Sequence, residues 1–248
     1  MKIGIIGCGF VGGALKKWME EHNPSVIVRV SDPAKGFHDN MSDIDVAFIS
    51  IHIPTEECGS QDLSTLIEII ENLPNKPIFI RSTLLPGTSR ILSEKTGKQV
   101  YFMPEFLTER TAYADFCEQP MVFSAEEELL SKIFVGKKYL VMTSLEAEIT
   151  KYAHNVFGAV KVTYFNGIFN MCQTMGTDFE RIRQGVLLSG YINDTHTQVP
   201  GPDGKLGYGG KCFPKDVNAF TEYCKDFPIY NMLKEMKPLN LIFRKEDK

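Results

Sequence analysis

The residues best equipped for covalent chemistry sit in one decapeptide, Gly207-Tyr208-Gly209-Gly210-Lys211-Cys212-Phe213-Pro214-Lys215-Asp216. Its glycines let the backbone take positive φ and approach a ligand closely, and they deliver the chain onto Cys212. Pro214 suits the first turn of a helix, where its missing N–H would be an orphan anyway, so Cys212 is predicted at a helix N-terminus. That setting, with Lys211 and Lys215 close by, favours the thiolate of a side chain that ordinarily titrates at about 8.5. Asp216, one turn on, is placed to orient or deprotonate a water beside the sulfur. The plainer alternative is a tight turn leading to a buried, inert cysteine.

Upstream candidates give the thiol company. Lys151 and Asn155 are i, i+4 neighbours on one face of a predicted helix and would form an oxyanion clamp, each well-placed donor worth ~3 kcal/mol of barrier. Their alternative is a solvated helix face. Glu105 and Glu109 are four apart across a predicted helix start, so both carboxylates face one site or cap the helix. Thr83, between a strand and Pro86-Gly87, bonds a ligand or a water, or else caps a helix.

The elements that must position these residues begin with a dinucleotide platform. Lys2 to Ile6 is a short apolar run, followed by Gly7-Cys8-Gly9-Phe10-Val11-Gly12 and an amphipathic helix from Phe10 to about His22. In this strand–turn–helix context, the first glycine makes the turn, the second admits a pyrophosphate and the third lets helix pack on strand. A second strand, Val26 to Val30, leads to Asp32. A carboxylate there bonds a ribose 2′-OH and repels a 2′-phosphate, so the cofactor is predicted to be NAD. Further β-rich runs at Val46–Ile51, Pro77–Ser82, Gln99–Met103, Pro120–Ser124 and Lys138–Thr143, mostly separated by helical stretches, predict an α/β fold: a Rossmann-type, doubly wound, mostly parallel sheet over 1–143. Pro54-Thr55, Ser82-Thr83 and Pro104-Glu105 fall in the loops at its ligand-binding rim.

Residues 144–248 read as a helical domain. Leu145 to about Gly176 has no proline and predicts a helix of about thirty residues, roughly 45 Å long. A small domain cannot cover a helix that long, so it is expected to pack on the sheet domain and on a second copy, giving a homodimer. A helix from Asp178 to about Leu188, a polar loop, a helix from Pro214 to Lys225 and a charged tail from Arg244 to Lys248 complete the chain.

Composition excludes several classes. With 248 residues, 43% apolar content and a net charge of −4, the chain has ample core material and no basic, aromatic-interleaved patch for nucleic acid. No apolar run reaches membrane-spanning length and no signal-peptide pattern opens the sequence, so no membrane partner is expected. Six cysteines without a C-x-x-C pair predict reduced thiols, no metal site and a cytoplasmic protein.

Five motifs in order resemble the UDP-glucose/GDP-mannose dehydrogenase family: Gly7-x-Gly9-x-x-Gly12, Ser82-Thr83-x-x-Pro86-Gly87-Thr88, Pro104-Glu105-Phe106-Leu107-x-Glu109, Glu148-x-x-Lys151-x-x-x-Asn155, and the cysteine decapeptide. The resemblance implies a four-electron oxidation of a nucleotide-sugar primary alcohol, UDP-glucose first, to a carboxylate, using two NAD and a Cys212 thiohemiacetal and thioester. It makes Lys151 and Asn155 oxyanion stabilisers, lets Asp216 and Glu109 place water, and gives Glu105 and Thr83 supporting roles. Gly7, Gly9, Phe10, Val11, Gly12, Asp32, Pro54, Thr55, Ser82 and Thr83 would bind NAD; Phe106, Leu107, Lys151, Asn155, Tyr208 and Gly209 would bind substrate. The polar loop lacks an arginine usual in relatives, and His196 stands near its place as a substrate contact. The family's third, nucleotide-binding domain is expected to be missing. The alternatives are a two-electron NAD-dependent hydroxyacid dehydrogenase, with Cys212 incidental, and a non-catalytic NAD-binding remnant or regulatory subunit.

Overall fold

Apolar runs punctuated by glycine set the architecture of the protein, whose computed structural model describes residues 1–245. Residues 246–248, the end of the charged tail, lie outside the described residues. The chain runs β1 (Lys2–Ile6), α1 (Phe10–His22), β2 (Ile27–Asp32), β3 (Phe37–His38), β4 (Val46–Ile49), α2 (Ser64–Asn72), β5 (Ile78–Ile80), α3 (Thr88–Thr96) and β6 (Val100–Phe102). These strands form one sheet in the order β3-β2-β1-β4-β5-β6, parallel except at the edge strand β3. β4 and β5 are buried at every residue because helices cover both faces of the sheet. One layer of core packs Leu15, Trp18 and Met19 of α1 with Phe48, Phe79 and Phe134. The other gathers Ile49, Leu66, Ile70, Ile80 and Leu92.

The structure refines the single sheet that the sequence predicts. After α4 (Ala112–Glu118), β7 (Met121–Ser124) and, past α5 (Glu127–Ile133), β8 (Tyr139–Met142) pair parallel as a two-stranded sheet of their own. Ser124 explains the break. Its Oγ donates to the carbonyl of Phe102 (3.0 Å) and accepts from the Phe102 N–H (2.9 Å), so a hydroxyl takes the bonds a backbone ladder from β7 to β6 would use.

The chain divides into two compact units, Met1–Pro54 with Gln61–Lys151 and Thr55–Ser60 with Tyr152–Lys248. The second contains most of α6 (Ser144–Met175), the long helix predicted over Leu145–Gly176, and then α7 (Phe179–Leu187), α8 (Phe213–Tyr223), α9 (Tyr230–Leu233) and α10 (Met236–Lys245). Asp178 caps α7, its carboxylate accepting from the N–H groups of Glu180 and Arg181. Phe165, Cys172 and Phe179 form the core between α6 and α7. On α6, Phe157, Tyr164, Met171 and Met175 are exposed at spacings of seven and four, an apolar stripe along one face. Helix α10 takes in Arg244 and Lys245, which the sequence assigns to a tail; Pro238 lies in its first turn, where a proline costs no hydrogen bond. No helix among the described residues is long and apolar enough to cross a membrane.

Candidate active site

Strand order reverses between β1 and β4, and in such sheets ligands bind beyond the carboxyl ends of the strands at that switch point. Gly7, just past β1, has φ +84°, and a Cβ there would lie 2.5 Å from the Ser50 carbonyl oxygen beyond β4. A Cβ on Gly12 would fall 2.0 Å from the Gly7 carbonyl, so α1 can start this close only with glycine. Gly9 faces open space, the approach a pyrophosphate needs. Phe10 and Val11 open α1 beside it. The Cys8 N–H donates to Asp32 Oδ2 (2.7 Å), which aims the carboxylate at the loop, and Lys35 Nζ donates to the Cys8 carbonyl (2.7 Å). Burial pushes the Cys8 thiol up, against the pull of Lys35. This cradle fits a dinucleotide.

A cleft of about 460 Å³ lies beside it, walled by Gly9, Phe10, Gly13 and Lys17 on one side and Glu109 to Ala114 on the other. Glu109 therefore borders the glycine loop. The expected helix start across Glu105 and Glu109 is corrected: α4 begins at Ala112. Local bonds hold 105–111 as a loop instead. Glu105 Oε2 accepts from Leu107 N (2.8 Å), and Asp115 accepts from the Thr108 N–H and the Thr111 hydroxyl. Glu105 is buried and Glu109 exposed, and both lie before Thr111, the residue at the N-terminal cap of α4. Thr83 does not cap a helix, since α3 starts at Thr88 behind Gly87; its carbonyl accepts from Gln61 Nε2. Ser82 Oγ donates to the Ile51 carbonyl (2.6 Å), and Pro54 is exposed. Thr55 falls in the second unit, with its hydroxyl buried and without a partner among the described residues.

Glu105 is the centre of a buried ionic cluster. Lys151, 3% exposed, donates from Nζ to Glu105 Oε1 (2.9 Å) and to the Glu105 carbonyl, and lies 5.6 Å from the centre of the Phe106 ring. Arg81, 2% exposed, lines the same small cavity as Glu105, Phe106 and Leu107, and its Nε and Nη1 have no hydrogen-bond partner among the described residues. Burial alone would raise the Glu105 pKa, but Lys151, the Leu107 N–H and Arg81 together hold it below its ordinary value. Burial pushes Arg81 down to about 10, still fully charged at neutral pH. One turn before Lys151, Glu148 accepts from the N–H groups of Gly87 (2.6 Å) and Ser89 (2.7 Å) and from the Ser89 hydroxyl, tying α6 to the start of α3. Burial raises its pKa against these bonds.

In the second unit, Cys212 is the residue immediately before α8 and Pro214 lies in the first turn, as predicted. The thiol residue is partly exposed, and none of the six cysteines is in a disulfide. One turn on, Asp216 is 1% exposed; Asn155 Nδ2 donates to its Oδ2 (2.7 Å) and Lys215 Nζ pairs with its Oδ1. His154 Nδ1 meets Asn155 Oδ1 at 2.9 Å. Neither Lys151 nor Asn155 lies on a solvated face, since both are buried. His196, at φ +65° and with much of its surface exposed, packs its ring edge-on to Phe213, the neighbour of Cys212. Desolvation, then Lys161 and His154, lower its pKa, so it is neutral at pH 7. Tyr208 is buried and burial alone pushes its phenol up to about 12.

Residues 31–135 match the NAD binding domain of the UDP-glucose/GDP-mannose dehydrogenase family and residues 145–240 match its central domain. The chain belongs to this family. The UDP-glucose 6-dehydrogenase of Rickettsia typhi is 30% identical over 213 residues, which cover 78% of this chain and 48% of that protein. This chain thus spans about half the length of the curated relatives it matches. In fold it is similar to a UDP-glucose dehydrogenase from the archaeon Pyrobaculum islandicum, with a TM-score of 0.81 and 24% identity over 97% of this chain and 68% of that one. It is also similar to the 3-hydroxyisobutyrate dehydrogenase of Mycobacterium tuberculosis, with a TM-score of 0.71 and 16% identity over 98% and 94% of the two chains. The Rossmann-type α/β class and the NAD cofactor read from the sequence agree with the fold and with the matched domain.

Several groups here carry no role in the sequence reading. Lys35 follows Asp32 by three residues, and a basic residue so close to the acidic one is the signal that marks it. Glu148 is marked only as the first residue of the Glu148-x-x-Lys151-x-x-x-Asn155 motif, and Arg81 has no signal at all, because only burial turns its ordinary charge into a site feature.

Two results follow for the family's cofactor domain. Asp32→Ala is expected to weaken NAD binding by about tenfold or more, the worth of a hydrogen bond to a charged group. It also narrows the preference over NADP, as calorimetric titration with both would show. Glu105 gives a pH signature. Its pKa is lowered on folding, so its stabilising contribution is complete above its ordinary value of 4.5 and is lost as pH falls through the folded value. Glu105→Gln should cost roughly 3 kcal/mol at neutral pH. Urea melts at pH 7 and pH 4 should show that difference shrinking in acid.

Proposed function

We propose that the protein oxidises the primary alcohol of a nucleotide sugar, with UDP-glucose the first candidate, to the carboxylate, Cys212 acting as covalent nucleophile. The observation that carries this reading is the placement of Cys212 at the start of α8, one turn before a buried Asp216 that is bonded to Asn155. NAD, when bound, supplies the hydride acceptor, once for each two-electron step. The residues do the rest. The Cys212 thiolate adds to the aldehyde carbon from the first oxidation, and Lys151 and Asn155 donate to the oxyanion so formed. The thiohemiacetal loses its carbon-bound hydrogen as hydride in the second oxidation and its hydroxyl proton to solvent, leaving a thioester. Water adds to the thioester carbon, the carbon–sulfur bond breaks, and Cys212 leaves as thiolate with the acid released. Asp216 and Glu109 place that water, and Glu105 holds Lys151. His196, Phe106 and Leu107 contact the sugar nucleotide.

Covalent capture explains why a thiol is needed. It retains the aldehyde while cofactor is exchanged and makes it a better hydride donor. Incubation with NAD and UDP-glucose, GDP-mannose or UDP-N-acetyl sugars is expected to give, with one of them, a product that has gained one oxygen and lost two hydrogens, read by mass spectrometry. A 3-hydroxyacid serves as the contrasting substrate. Turnover of the hydroxyacid alone would support the two-electron alternative. The apolar stripe on α6 supports a homodimer through that helix, which sedimentation equilibrium checks.

A further inference from the structure

The cysteine loop is held from behind by α10. The Asn240 side chain pairs with both backbone groups of Tyr208: Oδ1 accepts from the Tyr208 N–H (2.7 Å) and Nδ2 donates to the Tyr208 carbonyl (3.0 Å). Arg244, one helical turn on, adds a bond from Nε to the same carbonyl (3.2 Å) and one from Nη1 to Asp203 Oδ2 (2.9 Å). From α6, the buried Asn166 accepts the Gly207 N–H (2.8 Å) and anchors itself on the Val162 carbonyl. Gly207 and Gly209 are required by this clamp. A Cβ on Gly207, at φ +68°, would lie 2.4 Å from Asn240 Oδ1, and one on Gly209 would lie 1.9 Å from Arg244 Nη2.

An amide that satisfies both the N–H and the C=O of one residue acts as a neighbouring strand would, and it fixes that peptide in position and orientation. Tyr208 stands four residues before Cys212, with Gly209 and Gly210 between, so a peptide freed at Tyr208 would let the following glycines swing. We propose that Asn240 and Arg244 are positioning residues that hold the glycine loop so that Cys212 is presented at the start of α8 in one reactive arrangement. The proposal deepens the reading of Cys212 as nucleophile and rests on it for its effect on turnover. Tyr208, expected from the resemblance to contact substrate, has a buried ring and both its backbone groups engaged by α10.

Asn240→Leu removes both bonds from that amide, and Arg244→Lys keeps the charge near Asp203 while removing the Nε bond. The direct readout is the rate at which iodoacetamide alkylates Cys212, followed by peptide mass spectrometry, with the exposed Cys58 as internal reference. Asn240→Leu is expected to slow Cys212 relative to Cys58 at least fivefold and to lower kcat on the order of 10²-fold, as small misplacements of reacting groups do. NAD affinity stays at the wild-type level. Arg244→Lys should fall between, and it decides the matter if Asn240→Leu does not fold. A Cys212 rate unchanged or raised in the folded variants overturns the proposal. If the wild-type protein oxidises no sugar nucleotide, the functional reading fails, yet the alkylation ratio still decides whether α10 sets the thiol.

Discussion

Cys212→Ser is expected to lose the formation of acid by about 10³-fold or more, the scale seen when a covalent nucleophile is removed. A serine hydroxyl remains almost wholly protonated at neutral pH, whereas a thiol ordinarily titrates at about 8.5. The substitution changes one atom and leaves Pro214 and the bond from Asp216 N to the residue-212 carbonyl in place. The fold is therefore kept while the nucleophile is lost. Rapid mixing with excess NAD should show the variant forming aldehyde and no thioester. A variant within tenfold of the wild type would make Cys212 incidental and favour a two-electron dehydrogenase.

Lys151→Met combines two losses, and they separate cleanly. In its proposed role as donor to an oxyanion, Lys151 is expected to contribute to kcat, and removing one such donor costs on the order of 10²- to 10³-fold. As the partner of Glu105 it contributes to stability. Without it the carboxylate remains 8% exposed, with Arg81 the remaining cation beside it. Breaking a buried pair in this way costs about 3 to 5 kcal/mol. Adding Glu105→Gln removes the stranded carboxylate but leaves Arg81 without its counter-charge, so the double variant should recover part of the stability and none of the turnover. Urea denaturation and steady-state kinetics on the four proteins of this cycle measure both terms. Recovery of turnover together with stability would reduce Lys151 to a structural ion pair.

Much of this was legible because single residue types had no substitute. Gly7 and Gly12 announce a cradle since no Cβ fits there, and Pro214 after Cys212 announces a helix start. The long α6 shows in its unbroken helical spacing. What stayed hidden depends on contacts distant in sequence. Arg81 looks like a surface charge until the fold buries it, and Ser124 looks like any strand residue until its hydroxyl replaces a ladder. The sequence predicts a helix start across Glu105 and Glu109, with the two carboxylates four residues apart. There the local bonds of Glu105 and Asp115 outweighed that pattern. Helix α10 covers residues that the sequence assigns in part to a charged tail, and Asn240 gives no sign in sequence of a loop it grips from 32 residues away.

The central claim is that one active site carries out two successive oxidations joined by a thioester. Its most direct test is the number of NADH formed per sugar nucleotide consumed, with purified protein, excess NAD and limiting UDP-glucose, then GDP-mannose and UDP-N-acetyl sugars in turn. The account predicts two NADH for each molecule of the true substrate, with the acid as sole product. One NADH per molecule, with the aldehyde or ketone released, would contradict it.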